Sequence, residues 1–330
     1  MMVTIRDVAA EAGVSVATVS RVLNNKGYVH EDTLRKVQQA IEKLNYSPNE
    51  VARSLFKRQS KLVGLLLPDI TNPFFPELAR GVEDELQKQG FRLLFGNSDE
   101  NPEKEQAYIE TFLQNQVVGI ISATQTSGMF NQEQPAVPTV FLDRTHEGRY
   151  TVYADGREGG KIAARELVRR GSRNITVLKG PGHISPVQDR FLGAVEVLAA
   201  SSVDFQVIQM ASLTYEEAEE RAKELFRQYP ATDGILASND MTAAAVLHEA
   251  LRIGKAIPEE VQIIGFDDIP MSRLLFPSLS TIKQPVYEMG KQAAQLLLKL
   301  IKKEEVAEQV IQLPVSFVER NTTRKVKADG

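Results

Sequence analysis

Polar and aromatic side chains follow several short apolar runs of this 330-residue chain. They comprise carboxylates, guanidinium groups, amides and two aromatic rings, at Asn72, Phe74, Phe75, Asp143, Arg144, Arg190, Asn239, Asp267 and Gln284. Carboxylates and guanidinium groups form paired hydrogen bonds with neighbouring hydroxyls, and aromatic rings pack against C–H faces. Together these groups predict a site for a small polyhydroxylated ligand such as a sugar.

Each of these side chains also has an ordinary structural role open to it. Asp69 and Asn72 follow the first apolar run, where a lone Asx residue more often caps the next helix. The Phe74–Phe75 pair could belong to a hydrophobic core, and either member of Asp267–Asp268 could pair with a nearby cation. Adjacent residues usually point apart, so one of these two aspartates is expected to face a ligand. The joint occurrence of the groups after apolar runs favours a ligand site.

Short apolar runs alternate with helical segments over most of the chain. Strands are expected at Leu62–Leu67, Arg92–Gly96, Val117–Ala123, Thr139–Leu142, Ile175–Lys179, Gln206–Met210, Gly234–Ala237 and Gln262–Phe266. Helices are expected at Pro76–Gln89, Pro102–Asn115, Gly159–Arg170, Tyr215–Gln228 and Met241–Gly254. This alternation predicts an α/β fold with parallel sheets covered by helices on both faces. Two successive sets of strands indicate two Rossmann-like lobes, which bind ligands at the C-terminal ends of strands.

The expected domains are a helical head at 1–48, a linker at 49–60 and a body at 61–330. Within the body, the first lobe is expected at about 61–155 plus about 286–314, and the second at about 156–283 plus about 315–325. The segment Ser280–Pro285, which carries Gln284, is predicted to cross between the lobes. The polar tail from about Thr322 to Gly330 is expected to be loose.

Charge is distributed unevenly along the chain. Residues 1–61 contain ten Lys and Arg against six Asp and Glu, a net charge of +4. Because the whole chain carries −4, the remainder carries −8. A basic head on an acidic body indicates that only the head meets a polyanion.

The head has the pattern of three short helices. Thr4 is a good N-cap for the first, and Gly13-Val14-Ser15 forms a tight turn before a second helix, Val16–Leu23, that Ser15 caps. A third helix spans about Glu31–Leu44, with apolar residues at helical spacing. Two short helices around a glycine turn, braced by a third, predict a helix-turn-helix unit.

In this unit the second helix lies in the major groove of DNA. Its outward face offers Val16, Ala17, Thr18 and Arg21. Arg21 could reach guanine edges or a phosphate, while Val16 and Ala17 could touch thymine methyl groups. The alternative is a three-helix protein-interaction module with a solvated Arg21, which the motif makes the weaker interpretation.

The linker has a pattern of its own. Asn49 could cap a ten-residue helix in which Val51 and Leu55 form a narrow apolar edge. A helix below about 12–15 residues is marginal alone in water, so this one is expected to need a partner. Its cations, Arg53, Lys57, Arg58 and Lys61, could meet phosphates, and Leu55 is an exposed apolar wedge. The alternative, a linker packed on its own domain, leaves those cations without an evident partner.

The stretch VTIRDVAAEAGVSVATVSRVLN, followed by LNYSPNEVARSL, resembles the lactose/galactose repressor family. The resemblance implies that Val16 and Ala17 read bases, and that Thr18, Ser20 and Arg21 lie near the DNA backbone or a guanine. It further implies DNA contacts from Thr4, Ser15, Asn24, Tyr28, Asn49, Ala52, Arg53 and Leu55. In the family, two linker helices pair across a dimer in the minor groove, where the matching leucine enters between base steps and kinks the DNA.

The body resembles the periplasmic sugar-binding fold that this family shares. The resemblance rests on LLPDITNPFFPELARG, FGNSDE, VFLDRT, QDRF, ASND, IIGFDDIP and LSTIKQP. By comparison with ribose-binding proteins, the ribose-contacting pattern falls on the nine residues from Asn72 to Gln284 named at the outset. One position departs, because Leu213 stands where an aromatic residue is often found, and one wall of the pocket would be aliphatic. The implied effector is ribose or a related pentose.

Several other classes of protein do not fit the sequence. The absence of cysteine removes disulfides and thiol catalysis and fits a reducing compartment. The four histidines have no metal-ligand spacing, and neither a nucleophile elbow nor a phosphate-binding loop is present. No apolar run is long enough to span a bilayer, and the early charges Arg6, Asp7 and Glu11 argue against a signal peptide. A cytoplasmic protein that is no enzyme and binds no cofactor or metal is expected.

These features predict a homodimeric transcriptional repressor that binds double-stranded operator DNA and is released when a sugar closes the two lobes. A first alternative is a sugar receptor for transport, in which the head is a false match. A second is a global carbon-catabolite regulator, whose DNA binding a phosphocarrier-protein corepressor promotes. That partner would dock on the helix Tyr287–Lys302, where Lys291, Lys299, Lys302 and Lys303 could meet phosphate or acidic groups, although they could equally form a solvated face.

Overall fold

The computed structural model describes residues 3–24, 28–46, 60–124, 136–144 and 148–326. The chain divides into two compact units, the head (Met1–Ser60) and the body (Lys61–Gly330). No helix of the described ranges is both long and apolar enough to cross a membrane.

Three helices form the head, in agreement with the sequence pattern. They are α1 (Ile5–Ala12), α2 (Val16–Asn24) and α3 (Glu31–Lys43). Each helix contributes a fully buried valine to the core, namely Val8, Val19 and Val37. The core is small, so the short helices depend on one another more than on intrinsic helix propensity.

The first sheet of the body has six parallel strands in the order β11-β5-β4-β3-β1-β2. The strands are β1 (Leu62–Leu67), β2 (Arg92–Asn97), β3 (Ile120–Ser122), β4 (Thr139–Leu142), β5 (Thr151–Ala154) and β11 (Val310–Leu313). Its helices are α4 (Phe74–Lys88), α5 (Pro102–Gln114) and α10 (Val286–Lys302). The run LVGLLL of β1 is almost wholly buried, as is typical of a parallel strand covered on both faces.

The second sheet also has six strands, in the order β12-β10-β9-β8-β6-β7. The strands are β6 (Asn174–Lys179), β7 (Asp204–Gln209), β8 (Gly234–Leu236), β9 (Gln262–Asp267), β10 (Ser280–Lys283) and β12 (Ser316–Val318). All pairs are parallel except β10 with β12. Its helices are α6 (Gly156–Arg169), α7 (Ser185–Ala199), α8 (Tyr215–Gln228) and α9 (Asp240–Arg252), and a short 3-10 turn spans Pro270–Arg273. The predicted α/β class is therefore confirmed.

The segment Ser280–Pro285, expected to cross between the lobes, begins with the strand β10. One expectation for the second half of the chain needs correction. The tail expected to be loose is anchored at Thr322, which is fully buried. Its carbonyl oxygen accepts from the Ile263 N–H at 2.9 Å, and its hydroxyl accepts from the Ser280 N–H at 2.8 Å. A polar residue can be buried at this position because each of its groups has a partner.

Glycines bring α6 and α7 unusually close together. A Cβ on Gly160 would lie 2.0 Å from the Arg190 carbonyl oxygen, and one on Gly193 would lie 1.9 Å from the Arg157 carbonyl oxygen. Backbone therefore packs directly on backbone, as only glycine permits. This contact sets the position of α7, which carries Arg190.

Gly193→Ala is expected to lower the free energy of unfolding of the body by about 1–3 kcal/mol, because the added methyl group overpacks the contact. The loss should appear although alanine has the higher helix propensity, by about 1 kcal/mol. Urea unfolding measures the change. Gly182→Ala is the control, since its Cβ would meet nothing closer than 3.9 Å. Equal effects of the two substitutions would contradict a limiting close approach at Gly193.

Candidate functional site

The start of α2 presents a small surface of mixed chemistry. Val16 is 41% exposed, and Ala17 and Arg21 are exposed as well, whereas Thr18 and Ser20 are half-buried. Because Val19 points into the core, the helical period turns Ala17 and Arg21, two positions to either side of it, outward, and Val16 is exposed at the first position of the helix. The side chains expected to read bases therefore lie at the surface of the head.

A glycine turn and two polar contacts hold α2 in place. Gly13 has φ of +64°, in the left-handed region that glycine adopts without a steric penalty. Ser15, which is exposed, caps α2 through Oγ, which accepts from the Thr18 N–H at 3.1 Å. Lys43 Nζ lies 2.7 Å from Glu11 and ties α3 to α1. This arrangement is that of a helix-turn-helix unit.

The other predicted DNA contacts fall in three groups. Thr4 is exposed, and both its N–H and its hydroxyl donate to the Asp7 carboxylate, at 2.8 and 2.7 Å. Tyr28 is 90% exposed. The side chain of Asn24 lies outside the described residues, as do Asn49, Ala52, Arg53 and Leu55 of the linker. Contact of all these groups with DNA stays a prediction.

In the body, charged side chains converge on Arg190 of α7. Arg190 Nη2 lies 3.2 Å from Asp267 Oδ1, and Nη1 donates to the Ser238 carbonyl oxygen at 2.8 Å. The guanidinium carbon lies 3.9 Å from the centre of the Phe266 ring. The Arg190 side chain is only 11% exposed, so its charge depends on these partners. Phe266 was not among the predicted site residues, although it directly precedes Asp267.

Asp267 lies at the end of β9 and is almost fully buried. Its Oδ1 also accepts from Gln284 Nε2 at 2.7 Å. Burial raises the pKa of Asp267 to about 7, an effect that the Arg190 guanidinium opposes and the nearby Asp240 and Asp143 reinforce. Its φ of +113° is unusual for a residue with a side chain, a strain often found at functional sites.

The neighbouring Asp268 turns away from Asp267 to another partner. Its Oδ1 lies 2.5 Å from Arg320 Nη2. The two adjacent carboxylates therefore serve different partners: Asp268 forms a structural ion pair, and Asp267 joins the cluster around Arg190.

Asp143 brings the first lobe into this cluster. It follows β4 directly, has φ of +69° and is buried. Burial raises the pKa of Asp143, the guanidinium groups of Arg190 and Arg144 lower it, and the Glu100 carboxylate raises it. A carboxylate of the first lobe thus lies within electrostatic range of a guanidinium group of the second. The C-terminal ends of strands in the two lobes face a common region, as the fold rule requires.

Arg144 has a partner that sequence reasoning missed. Arg144 Nη1 donates to Glu100 Oε2 at 2.8 Å, and Nη2 contacts Glu100 Oε1, so the pair is bidentate. The Arg144 side chain is 2% exposed and that of Glu100 is 35% exposed. Glu100 lies within the FGNSDE stretch, but its role depends on a contact between residues 44 positions apart.

Asp240, beside the predicted ligand residue Asn239, has a structural role. Its carboxylate accepts from the Ile269 N–H at 2.9 Å, the Ser272 hydroxyl at 2.5 Å and the Thr281 hydroxyl at 2.6 Å. Burial raises the pKa of Asp240 to about 6, although the three hydrogen bonds lower it. Asp240 therefore ties the segment that follows Asp267, the last residue of β9, to the strand β10.

The remaining predicted ligand residues have structural contacts of their own. Phe74 and Phe75 pack edge to face, with ring centres 5.0 Å apart, inside the first-lobe core, which Ile269 from the second lobe also joins. Asn72 Oδ1 accepts from the Phe74 N–H at 3.0 Å. Asn239 is buried and caps α9 through the Thr242 N–H at 2.8 Å, and Leu213 is half-buried beside Gly180. Ligand contact at these five positions, Asn72, Phe74, Phe75, Leu213 and Asn239, stays a prediction.

The cluster offers both donors and acceptors of hydrogen bonds. Across the ranges that the structure describes, no group of three or more His, Cys, Asp or Glu side chains could hold a metal ion. Buried carboxylates and guanidinium groups from two lobes suit a small neutral molecule with several hydroxyls.

Comparison with known proteins agrees with both halves of this description. Residues 4–49 match the model of "Bacterial regulatory proteins, lacI family", and residues 164–323 match that of the "Periplasmic binding protein-like domain". The chain is 61% identical over 324 residues to the ribose operon repressor of Bacillus subtilis (strain 168), covering 98% of this chain and 99% of that protein. It is 41% identical over 331 residues to the ribose operon repressor of Lactococcus lactis subsp. lactis (strain IL1403), covering 99% and 100%. The chain belongs to the LacI family of bacterial regulatory proteins.

Solved structures show the same architecture. A LacI family transcriptional regulator from Enterococcus faecium with bound ribose is 31% identical, with a TM-score of 0.72 over 81% of this chain and 100% of that chain. The lac repressor dimer bound to operator and an anti-inducer has a TM-score of 0.90 over 98% of this chain and 100% of that chain. At 24% identity, the second likeness shows the fold alone.

Asp267→Asn is expected to weaken the dependence of stability on pH. The pKa of Asp267 is about 7 in the folded protein, against about 3.9 for an unfolded aspartate, so the folded state binds more protons between these values. The free energy of unfolding should therefore fall as pH rises from about 4 to about 7, and level off above that range. The asparagine variant should lose up to about 1.4 kcal/mol per pH unit of this slope.

Urea unfolding at several pH values between about 5 and about 8 provides the measurement. Asp268→Asn is the matched control, because it removes the adjacent carboxylate, which pairs with Arg320 outside the cluster. An unchanged slope in Asp267→Asn would show that this carboxylate does not titrate as its burial requires.

Proposed function

We propose that the protein is a sequence-specific DNA-binding repressor of a ribose-utilisation operon, and that a sugar releases it from its operator. One observation carries the proposal: a helix-turn-helix head with an exposed face on α2 and a body with a buried cluster of carboxyl and guanidinium groups occur in one chain. This chain is 61% identical to the Bacillus subtilis ribose operon repressor over nearly its whole length. The Enterococcus faecium relative with bound ribose supports the choice of sugar.

On DNA, the start of α2 would lie in the major groove. The exposure of Val16, Ala17 and Arg21 supports base contacts from this helix, with Thr18 and Ser20 beside the backbone. The linker 49–60, which lies outside the described residues, would form a helix in the minor groove with Leu55 as a wedge. Operator DNA is thus a partner of the head.

The sugar would bind where strand ends of the two lobes face each other. Asp143, Arg190 and Asp267 would receive or donate hydrogen bonds to hydroxyls, and Phe74 and Phe75 would cover a C–H face. The two lobes would close on the ligand, the first at about 61–155 plus 286–314 and the second at about 156–283 plus 315–325. Release from DNA then requires that the sugar bind the closed state more tightly than the DNA-bound state.

The working unit is proposed to be a homodimer. Exposed apolar side chains support a protein interface on the body: Leu274 is 83% exposed, Phe276 is 92% exposed, and Phe95 of the first lobe is 41% exposed. Large apolar side chains at a surface favour burial against another chain. Because its target is the chromosome, the protein is proposed to act in the cytoplasm, as a regulator and not as an enzyme, without a cofactor.

The alternative of a phosphocarrier-dependent global regulator has weaker support. The chain is 33% identical to catabolite control protein A of Staphylococcus epidermidis (strain ATCC 12228 / FDA PCI 1200), well below its identity to the ribose operon repressors. On α10, Lys291 Nζ already lies 3.1 Å from Glu288, which reduces its availability to a phosphate.

Ribose is expected to weaken operator binding by the wild-type protein. A gel shift with the operon's own promoter DNA, with and without saturating D-ribose, measures the effect. A thermal-shift panel of pentoses and hexoses tests the specificity, because a ligand of the folded state raises the melting temperature. Unchanged operator affinity at saturating ribose would rule out ribose as the inducer, and a larger shift with another sugar would reassign it.

Arg21→Ala is expected to lower operator affinity by about 1–3 kcal/mol, because it removes a contact to a guanine edge or a phosphate. Arg35→Ala is the matched control, since Arg35 is an exposed arginine of α3 that pairs with Asp32 in the same unit. Measuring operator affinity at several salt concentrations distinguishes a contact to a guanine edge from a contact to a phosphate. Loss of a phosphate contact reduces the slope of log affinity against log salt concentration by about one. Equal losses in both variants would indicate a general charge effect.

A further inference from the structure

The pairing of Arg144 with Glu100 has a chemical consequence for the ligand. Both terminal nitrogens of the guanidinium group face the two oxygens of one carboxylate. This fork is the arrangement with which arginine binds a carboxylate or a phosphate. Glu100 therefore occupies the part of Arg144 that an anionic ligand would use.

The loop that carries Glu100 is held by the fold. The Ser98 N–H donates to the Leu67 carbonyl oxygen at 2.9 Å, and the Asn101 N–H donates to the Ser98 carbonyl oxygen at 2.9 Å. Asn101 then caps α5 by accepting from the Glu103 N–H at 2.8 Å. Glu100 itself adopts φ of +55°, a conformation that such a tightly bonded turn maintains. Its carboxylate is thus positioned by the backbone rather than drawn in by Arg144 alone.

The second guanidinium group of the cluster also faces carboxyl groups of the protein. Arg190 Nη2 lies 3.2 Å from Asp267, and Arg190 acts electrostatically on Asp143. Both guanidinium groups of the cluster thus already have a carboxyl partner, so a dianionic phosphate would find neither of them free to pair with it.

Each arginine nevertheless keeps one donor for a neutral ligand. Arg144 Nε and Arg190 Nε are buried and have no hydrogen-bond partner among the described residues. A buried N–H without a partner costs free energy, which a hydroxyl oxygen could recover. A single N–H suits a hydroxyl group, whereas a phosphate is recognised by two or more.

We propose that Glu100 is a specificity-determining residue that restricts the effector to neutral, unphosphorylated sugars by occupying the fork of Arg144. The inference rests on the proposed function, because it concerns the ligand of the same cleft. It assigns a role to a residue outside the ligand-contacting set predicted from the sequence. The protein would thereby respond to the free sugar and not to its phosphorylated product.

The test is calorimetric titration of the full chain with three ligands: D-ribose, D-ribose 5-phosphate and 5-O-methyl-D-ribose. The methyl ether is neutral but substitutes the same oxygen as the phosphate, so both ligands are restricted to the same ring form. Comparing them therefore separates the effect of charge from the effects of a substituent and of ring form. For the wild-type protein, D-ribose 5-phosphate is expected to bind at least about 100-fold more weakly than 5-O-methyl-D-ribose, as placing like charges together costs several kcal/mol.

Glu100→Gln should reduce the ratio of the dissociation constants of D-ribose 5-phosphate and 5-O-methyl-D-ribose at least about tenfold. The substitution frees the terminal nitrogens of Arg144 and removes one negative charge. Asp99→Asn is the matched control. It removes the same charge from the adjacent residue, whose carboxylate pairs with Lys104 and Asn97 instead, and it should leave the ratio unchanged.

The outcomes separate this inference from the proposed function. If wild-type protein binds the phosphate within about tenfold of the methyl ether, or if Glu100→Gln leaves their ratio unchanged, the charge-selective role of Glu100 is wrong while a sugar-responsive repressor stands. If the methyl ether is excluded as strongly as the phosphate, size selects the ligand and the role of Glu100 is again wrong. If none of the three ligands binds, the proposed ribose effector itself fails. The wild-type comparison needs no variant, so it holds even if Glu100→Gln does not fold.

Discussion

Burial of the Arg190 guanidinium group constrains the body of this protein more than any other single interaction. A buried charge without a partner costs several kcal/mol, so the fold has to supply compensation. It does so with the Asp267 carboxylate at 3.2 Å, the Ser238 carbonyl oxygen at 2.8 Å and the face of Phe266. These partners come from the ends of two strands of the second sheet. This compensation requires a fixed relative position of the two strands, the helix that carries Arg190 and the loops between them.

Much of the surrounding structure can be understood as support for that position. Backbone contact through Gly160 and Gly193 places α7 against α6 and so sets the depth of Arg190. The Asp240 carboxylate gathers donors from the loop after β9 and from β10, which holds the residues following Asp267. Backbone strain at Asp267, with φ of +113°, persists because these contacts over-determine the turn. A rigid second lobe with a polar cluster at its strand ends is the result.

The first lobe adds Asp143, Arg144 and Glu100 to the same cluster. Charges at the strand ends of two separate sheets thereby act on one another. A ligand that hydrogen-bonds to both lobes changes this balance directly. The head, in contrast, needs little from the body to form its own fold, since its three short helices share a small core of valines. Recognition of DNA and recognition of a ligand therefore have separate structural bases in one chain.

A substantial part of this organisation follows from local pattern. The three helices of the head, the glycine turn and the outward position of Ala17 and Arg21 follow from caps and helical period, which act over a few residues. The longer buried strands, such as Leu62–Leu67, are visible for the same reason. The strands β5, β10, β11 and β12 were missed, because segments of three or four residues are too short to show a pattern and owe their conformation to neighbouring strands.

The class of fold and the helix-turn-helix unit can be predicted from the sequence, because each depends on residue type and short spacing. Which of the charged side chains at the strand ends meet one another depends on tertiary packing. Asp267 joins the cluster while its neighbour Asp268 pairs with Arg320, a choice made by the turn between them. Arg144 is neutralised by Glu100, 44 positions away, and Asp240 bonds to residues 29 to 41 positions away. Such partners depend on how distant segments are packed, and local spacing carries no signal for them.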